Sequence, residues 1–122
     1  MRKIEMEIVD AILNKKELYR GNGRDSISFY YKTSIIYRLW GHTVIIKNFD
    51  DYYFSFCGFT TNTTKSRINN LLFDLCGFKG IKQKNYCLYY GNEKIDAVTV
   101  YKITNNGIEK TEYKNILDVL HE

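Results

Sequence analysis

The chain has 122 residues, of which 44% are hydrophobic and 26% charged, and its formal net charge is +4. That length supports one domain with a buried core, and the composition excludes a disordered chain. Proline is absent and no apolar run reaches the roughly 18 residues of a membrane helix, so proline-rich and collagen-like architectures are excluded and we expect no membrane contact.

The N-terminal segment predicts a helix within residues 1–20. Ile4, Ile8, Ala11 and Ile12 recur at helical spacing, with acidic residues in the early turns where the helix dipole favours them. The G-N-G run at 21–23 is a strong helix breaker because glycine tolerates positive φ. We therefore expect the helix to end before this run.

Residues 26–59 are typical of an antiparallel meander. Short β-branched or aromatic runs at 26–31, 35–40, 43–47 and 52–57 are separated by turn residues, including Gly41-His42 and Asp50-Asp51. This segment predicts four consecutive strands.

Residues 63–76 predict the clearest helix. Ile68, Leu71, Leu72 and Leu75 form one apolar stripe. Either Thr63 or Thr64 is expected to cap its N-terminus, and a glycine at 77 suits the C-terminal cap.

The remaining chain adds a strand at 81–90, a strand at 95–103 and a final helix. The apolar stripe of that helix comprises Tyr113, Ile116, Leu117 and Leu120. The sequence thus predicts a single domain, 1–122, of the α+β class: an antiparallel sheet of about five to six strands with helices packed on one face. Within it, 26–90 form the sheet and the central helix, and 91–122 the C-terminal strand and helix.

Positive charge is concentrated in the middle of the chain. Residues 60–90 carry five basic residues and one acidic residue, +4, whereas residues 91–122 carry −2. Lys65 and Arg67 stand at the start of the predicted helix, where the dipole disfavours cations. One interpretation is that they contact a phosphate backbone or a carboxylate cluster on a partner. The other is that both reach outward to Asp50, Asp51 or solvent.

Lys79, Lys82, Lys84 and Tyr86 continue this basic segment. Lys82 and Lys84 share one strand face, and tyrosines come directly after them. Basic residues interleaved with aromatics bind single-stranded nucleic acid by stacking and counterion release. The alternative is a solvated strand face beside core tyrosines.

A second aromatic set lies on the predicted sheet. Its members are Tyr30, Tyr31, Tyr37, Trp40, Tyr52 and Tyr53. Some must belong to the core, and those exposed together would suit a protein–protein contact. The sequence does not separate the two groups.

Catalytic and metal-binding patterns are absent from the sequence. There is no nucleophile elbow, P-loop, H-E-x-x-H or dinucleotide-binding glycine pattern, so we expect a protein that is not an enzyme and needs no cofactor. The cysteines, at 57, 76 and 87, lack C-x-x-C spacing. A zinc site would need all three thiols and a distant histidine, whereas reduced, mostly buried thiols need no such arrangement.

One stretch resembles a known group of proteins. Thr61 to Asn69 reads T-x-T-T-K-x-R-(I/L)-N, and an I-x-Q-K run with an aromatic residue after it begins at Ile81. From about residue 36 to 90, the chain is similar to a family of short proteins encoded by phages, prophages and plasmids. No activity is assigned to that family, so the resemblance implies that the chain originates from a mobile element and does not imply a mechanism.

These observations lead to two candidate functions. The first is inhibition of a host defence nuclease complex, as in proteins of the anti-CRISPR type, by contact with a host protein or ribonucleoprotein. The alternative is a nucleic-acid-binding accessory or regulatory protein that uses the basic and aromatic residues. AT-rich codon usage, evident in 14 Ile, 13 Lys and 11 Asn, and the absence of an export signal predict the cytoplasm of a low-GC bacterial host.

Overall fold

The computed structural model describes residues 2–121, and in that part of the chain ten strands form two antiparallel sheets. The helices are α1 (Lys3–Leu13) and α2 (Asn62–Asn70), and α2 continues into a π-helical turn, Leu71–Leu75. Two 3-10 segments, Gly21–Gly23 and Ile116–His121, complete the helical structure. The strands are β1 (Leu18–Arg20), β2 (Asp25–Tyr30), β3 (Ser34–Leu39), β4 (His42–Asn48), β5 (Asp51–Phe54), β6 (Lys82–Lys84), β7 (Cys87–Tyr90), β8 (Glu93–Ile95), β9 (Tyr101–Thr104) and β10 (Gly107–Lys110).

The larger sheet has seven strands in the order β1-β2-β3-β4-β5-β9-β10. Strands β2 to β5 form the predicted meander, and β9 then returns to pair with β5. The smaller sheet has three strands in the order β6-β7-β8, so the chain between α2 and β9 builds a separate layer.

Both faces of the larger sheet are buried, because its central strands are apolar at successive positions. Ile35 and Tyr37 face a core shared with α1, α2 and the smaller sheet, whereas Ile36 points to the other side. There Ile116 and Val119 of the C-terminal 3-10 segment cover it.

The predicted fold class is therefore wrong in three respects. Over residues 2–121 the protein is mostly β, with ten strands where about five to six were expected. Helical segments lie on both faces of the larger sheet rather than on one. The final segment is a short 3-10 helix whose buried residues, Ile116 and Val119, are three positions apart and therefore lie on one side of it.

Three predicted elements differ in extent from the expectation. The N-terminal helix stops at Leu13, Lys15 has φ of +53°, and residues 18–20 form an unpredicted strand. The strand expected over 95–103 is broken where Asp96 accepts hydrogen bonds from the backbone of Val98 and Thr99. Strand β10, over 107–110, was not predicted at all.

The N-terminus of α2 is capped at Thr61, ahead of both predicted positions. Thr61 Oγ1 accepts a hydrogen bond from the Thr64 backbone N–H at 3.2 Å. At the other end Gly77 has φ of +73°, which confirms its predicted role as the C-terminal cap residue. No helix within residues 2–121 is long and apolar enough to cross a lipid bilayer.

Candidate binding surface

The strand predicted over 81–90 is a hairpin, and this changes where its side chains lie. Strands β6 and β7 pair antiparallel, and the two residues that connect them, Asn85 and Tyr86, have φ of +52° and +65°. Positive φ at both positions is what a tight two-residue hairpin turn requires. The basic and aromatic residues are thus distributed across a sheet instead of along one strand.

One face of the smaller sheet is basic. Lys82 lies opposite Tyr89, and Tyr89 lies opposite Lys94, so these three residues form a row across the three strands. Lys84, two positions after Lys82 on β6, projects from the same face. We call Lys82, Lys84, Tyr89 and Lys94 the lysine face.

The opposite face of the smaller sheet holds it against the protein. Leu88 and Ile95 are paired across β7 and β8, and both are buried in the core beneath the larger sheet. Asn69 of α2 also holds the smaller sheet in place. Its side-chain amide donates a hydrogen bond to Ile81 O at 3.0 Å and accepts one from Ile81 N at 2.7 Å. Since one face is anchored by core packing, the lysine face is held outward.

The lysines of this face are exposed, and they lack anionic partners in the part of the chain that the structure describes. Lys82, Lys84 and Lys94 are exposed, and none of them forms an ion pair within residues 2–121. With strands about 4.8 Å apart, Lys82 and Lys94 flank Tyr89 at roughly 10 Å from each other. This concentration of unpaired ammonium groups around an aromatic ring favours a polyanionic partner.

Tyr86 extends the surface at the tip of the hairpin. Its side chain is 98% exposed, although its backbone occupies a left-handed conformation that disfavours a bulky residue. An aromatic ring held in solvent by a strained turn is available for stacking.

Lys79 lies beside this surface rather than on it. Its Nζ is 5.0 Å from the centre of the Tyr90 ring, a cation–π contact. Tyr90 alternates with Tyr89 along β7 and therefore projects from the other face. Lys79 is exposed, but its ammonium group contacts the Tyr90 ring and does not belong to the lysine face.

The remaining two predicted site residues, Lys65 and Arg67, are separated from the lysine face. Lys65 is half-buried and lines a cleft with Glu5 and Asp74. The Arg67 side chain is 2% exposed, with its guanidinium 2.8 Å from Asp25 and 3.5 Å from Glu5. Both interpretations that placed Arg67 at the surface are therefore wrong.

The Arg67 site is a buried polar network. Asp25 accepts hydrogen bonds from Arg67, Tyr37 and Arg24. Burial alone would raise the pKa of Asp25, but these bonds hold it below its usual range. Burial and the bond to Asp25 raise the pKa of Tyr37. The network is therefore a charged carboxylate satisfied by donors, which suits a structural role.

The structure separates the second aromatic set into core and surface. Tyr37 and Tyr53 are buried, Tyr30 and Tyr52 are half-buried, and Tyr31 and Trp40 are exposed. Trp40 stands with His42 and Phe59 along an apolar cleft of about 290 Å³. The His42 and Phe59 rings lie 4.4 Å apart.

The cysteines offer little reactivity. All three thiols are free and half-buried, and burial raises the pKa of Cys57 and of Cys76. Within residues 2–121, no three histidine, cysteine or carboxylate side chains come close enough to hold a metal ion.

Sequence reasoning located Lys82, Lys84 and Tyr86 and included Tyr89 among the tyrosines that come after them, but it missed Lys94 and the row that these residues form. Their alignment depends on the register of β6, β7 and β8, which places residues that are 12 positions apart in one row. The Gly91-Asn92 turn was the sequence feature that could have revealed this row. A two-residue turn there fixes the register of the strands on either side and places Lys94 opposite Tyr89.

Comparison with known proteins gives a match to a protein family. The sequence profile of the Kyanoviridae Gp96 protein family matches residues 1–116. No curated protein and no solved structure is significantly similar to the chain.

Proposed function

The chain belongs to the Kyanoviridae Gp96 family, a phage protein family, and from that premise we propose that it is a non-enzymatic binding protein whose lysine face holds single-stranded nucleic acid. It is a small phage-encoded protein, as its resemblance to mobile-element proteins implied. The observation that carries the proposal is the row Lys82–Tyr89–Lys94.

The chemistry of the lysine face suits a flexible phosphate backbone. Three ammonium groups on one face, which form no ion pair among the described residues, displace the counterions of a nucleic acid. The release of these counterions drives binding without sequence preference. Tyr89 within the row and Tyr86 at the hairpin tip provide aromatic rings on which bases stack. A protein with these properties acts as an accessory or regulatory factor on phage or host nucleic acid.

A titration of labelled single-stranded DNA and RNA, monitored by fluorescence anisotropy, tests this proposal. Replacement of Lys82, Lys84 and Lys94 by glutamine should weaken binding on the order of tenfold or more at low salt. The matched control replaces three other exposed lysines, Lys3, Lys110 and Lys114, and so changes the net charge equally. Equal losses in both variants would mean that only net charge matters, and the lysine face would be rejected.

Inhibition of a host defence nuclease complex, in the manner of anti-CRISPR proteins, is the second candidate. It is favoured by the cleft beside Trp40, whose side chain is 62% exposed although its neighbours Val44 and Phe56 are buried. An exposed tryptophan over an apolar cleft is typical of the centre of a protein–protein contact. With a net charge of +4, such an inhibitor would not mimic DNA over its whole surface.

The second candidate is tested by target cleavage in the presence of the protein and by capture of the nuclease complex with and without nuclease treatment. Trp40→Asn removes the ring and leaves an Asn-Gly pair, which suits the turn at 40–41. This variant should lose inhibition and capture. Tyr19→Ser, which removes an exposed ring from β1, is the control. Capture that disappears after nuclease treatment would favour the lysine face instead.

A further inference from the structure

A second basic and aromatic site lies at one end of the larger sheet, where three connections meet. Its walls come from the segment after α1, the β2–β3 loop and the β4–β5 loop. The two loops are tied together, because the Phe49 backbone N–H donates to Thr33 O at 2.8 Å. Ser34 Oγ adds a hydrogen bond to Asn48 Oδ1 at 2.6 Å. These two hydrogen bonds fix the position of the loops that line the cleft. The volume of the cleft is about 240 Å³.

Lysine side chains dominate the charge of this cleft. Lys15, Lys32 and Lys47 line it, and Asp50 is the one carboxylate among the described residues that line it, which leaves a charge of +2. Within residues 2–121 none of the three lysines forms an ion pair. The adjacent Lys16, by contrast, pairs with a carboxylate of α1 at 3.3 Å. Lys47 Nζ lies 5.6 Å from the centre of the Tyr52 ring, a cation–π contact that leaves its positive charge in place. In the described part of the chain the cleft thus presents to an anion three lysines that no carboxylate neutralises.

Two phenylalanine rings line the same cleft. Phe29 is 38% exposed and Phe49 is 68% exposed, and neither stacks on another ring in the described part of the chain. Phe49 is the first residue of a two-residue hairpin loop and has φ of +55°. Glycine or asparagine is favoured there, and a left-handed backbone is unfavourable for a bulky residue. A strained backbone that displays an apolar ring beside lysines is better explained by a ligand than by stability.

We propose that this lysine–phenylalanine cleft, formed by Lys15, Lys32, Lys47, Phe29 and Phe49, binds a nucleoside phosphate. The base stacks on the phenylalanine rings, and the lysine ammonium groups bind the phosphate. Asp50 accepts a hydrogen bond from an amino group of the base or a hydroxyl of the sugar. Because the volume is below the roughly 300–1,000 Å³ of a pocket for a drug-sized ligand, the base occupies the cleft and the phosphate remains at its rim.

The cleft shares no residue with the lysine face, so this inference does not depend on the proposed function. A free nucleotide and the terminal nucleotide of a strand present the same chemistry to the cleft. They differ in that the sugar of a terminal nucleotide is linked to the rest of the strand, and oligonucleotides with and without a 5′-phosphate distinguish the two sources.

Isothermal titration with nucleoside 5′-monophosphates tests the proposal, with inorganic phosphate and unphosphorylated nucleosides as partial ligands. We expect saturable binding of a monophosphate that is at least about tenfold tighter than that of either partial ligand, because only the monophosphate makes both the stacking contact and the contacts with the lysines. Phe49→Asn, which keeps a residue tolerant of positive φ, and Lys15→Gln should each weaken it about tenfold. Lys16→Gln is the matched control and should not change it.

The same titration separates this site from the lysine face. Replacement of Lys82 and Lys84 by glutamine should leave monophosphate binding intact. The proposal is overturned if no monophosphate binds saturably, if inorganic phosphate binds as tightly, or if Phe49→Asn and Lys15→Gln have no effect. Loss of binding in the Lys82 and Lys84 variant alone would also overturn it. Tighter binding of a 5′-phosphorylated strand than of the same strand without its phosphate, with the difference lost in Phe49→Asn, would support it and identify a strand terminus as the source.

Discussion

Arg67 Nε donates a hydrogen bond to Asp25 Oδ1 at 2.8 Å, and both side chains are almost fully shielded from solvent. This contact joins α2 to β2 across 42 positions of sequence. The neighbouring residues of the T-x-T-T-K-x-R run also have structural contacts: Thr61 caps α2, and Asn69 holds Ile81. The run therefore positions the smaller sheet, and the exposed residues that come after it form the binding surface.

Removal of the Arg67 guanidinium should destabilise the protein strongly. Arg67→Ala leaves the Asp25 carboxylate buried without its main donor, and breaking a buried pair in this way costs about 3–5 kcal/mol. Urea unfolding measures the loss. The control, Arg20→Ala, breaks an exposed pair with Glu7 and should cost at most about 1 kcal/mol. Comparable losses in both variants would show that the buried network is not a major contributor to stability.

Stability should decline in acid through protonation of Asp25. Its hydrogen bonds overcome the effect of burial and lower its folded-state pKa, whereas the unfolded value is about 3.9. The stabilisation is thus fully present above the unfolded pKa and is lost as pH falls through the folded pKa. Urea unfolding between about pH 6 and 2 should show a shallower decline for Asp25→Asn than for the unmodified protein. The exposed-site variant Asp10→Asn should change the slope much less, and a slope unaffected by Asp25→Asn would refute this origin of acid sensitivity.

The link from Asn69 to Ile81 should control the attachment of the smaller sheet. Asn69→Ala leaves the backbone N–H and C=O of the buried Ile81 without these partners, at a cost of about 1–3 kcal/mol for each unsatisfied group. Amide hydrogen exchange should accelerate in β6 and β7 more than in β3 and β4. Uniform acceleration across both sheets would instead indicate that the two layers unfold as one unit.

Much of the larger sheet could be predicted from the sequence, because β2 to β5 are short apolar runs separated by turn residues. The hairpin β6–β7 could not, since Asn85-Tyr86 lacks the glycine that usually marks a two-residue turn. Arg67 was placed at the surface because helix position alone does not reveal Asp25, which is distant in sequence. The exposed lysines at 82 and 84 were predicted from strand alternation, whereas the contribution of Lys94 required the register between strands.

Tyr86 should favour binding at the expense of stability. A left-handed backbone costs a bulky residue about 1–2 kcal/mol, and glycine removes this cost but loses about 0.5–1 kcal/mol more conformational entropy on folding. Tyr86→Gly should therefore stabilise the protein by about 0.5–1 kcal/mol, while nucleic-acid binding weakens through loss of the ring. Thermal unfolding and anisotropy measure the two effects. Tyr86→Ala is the control, because it removes the ring and retains the strained backbone: binding should weaken without a gain in stability. If Tyr86→Gly leaves binding unchanged, the ring is not part of the surface.

The salt dependence of single-stranded nucleic-acid binding tests the lysine face most directly. Each phosphate contact on a single strand contributes about −0.7 to the slope of log K against log salt, so three lysines contribute about −2. We expect the slope to become less negative by about 2 when Lys82, Lys84 and Lys94 are replaced by glutamine, and to stay unchanged when Lys3, Lys110 and Lys114 are replaced. A slope that is the same in the unmodified protein and in the lysine-face variant would contradict the account.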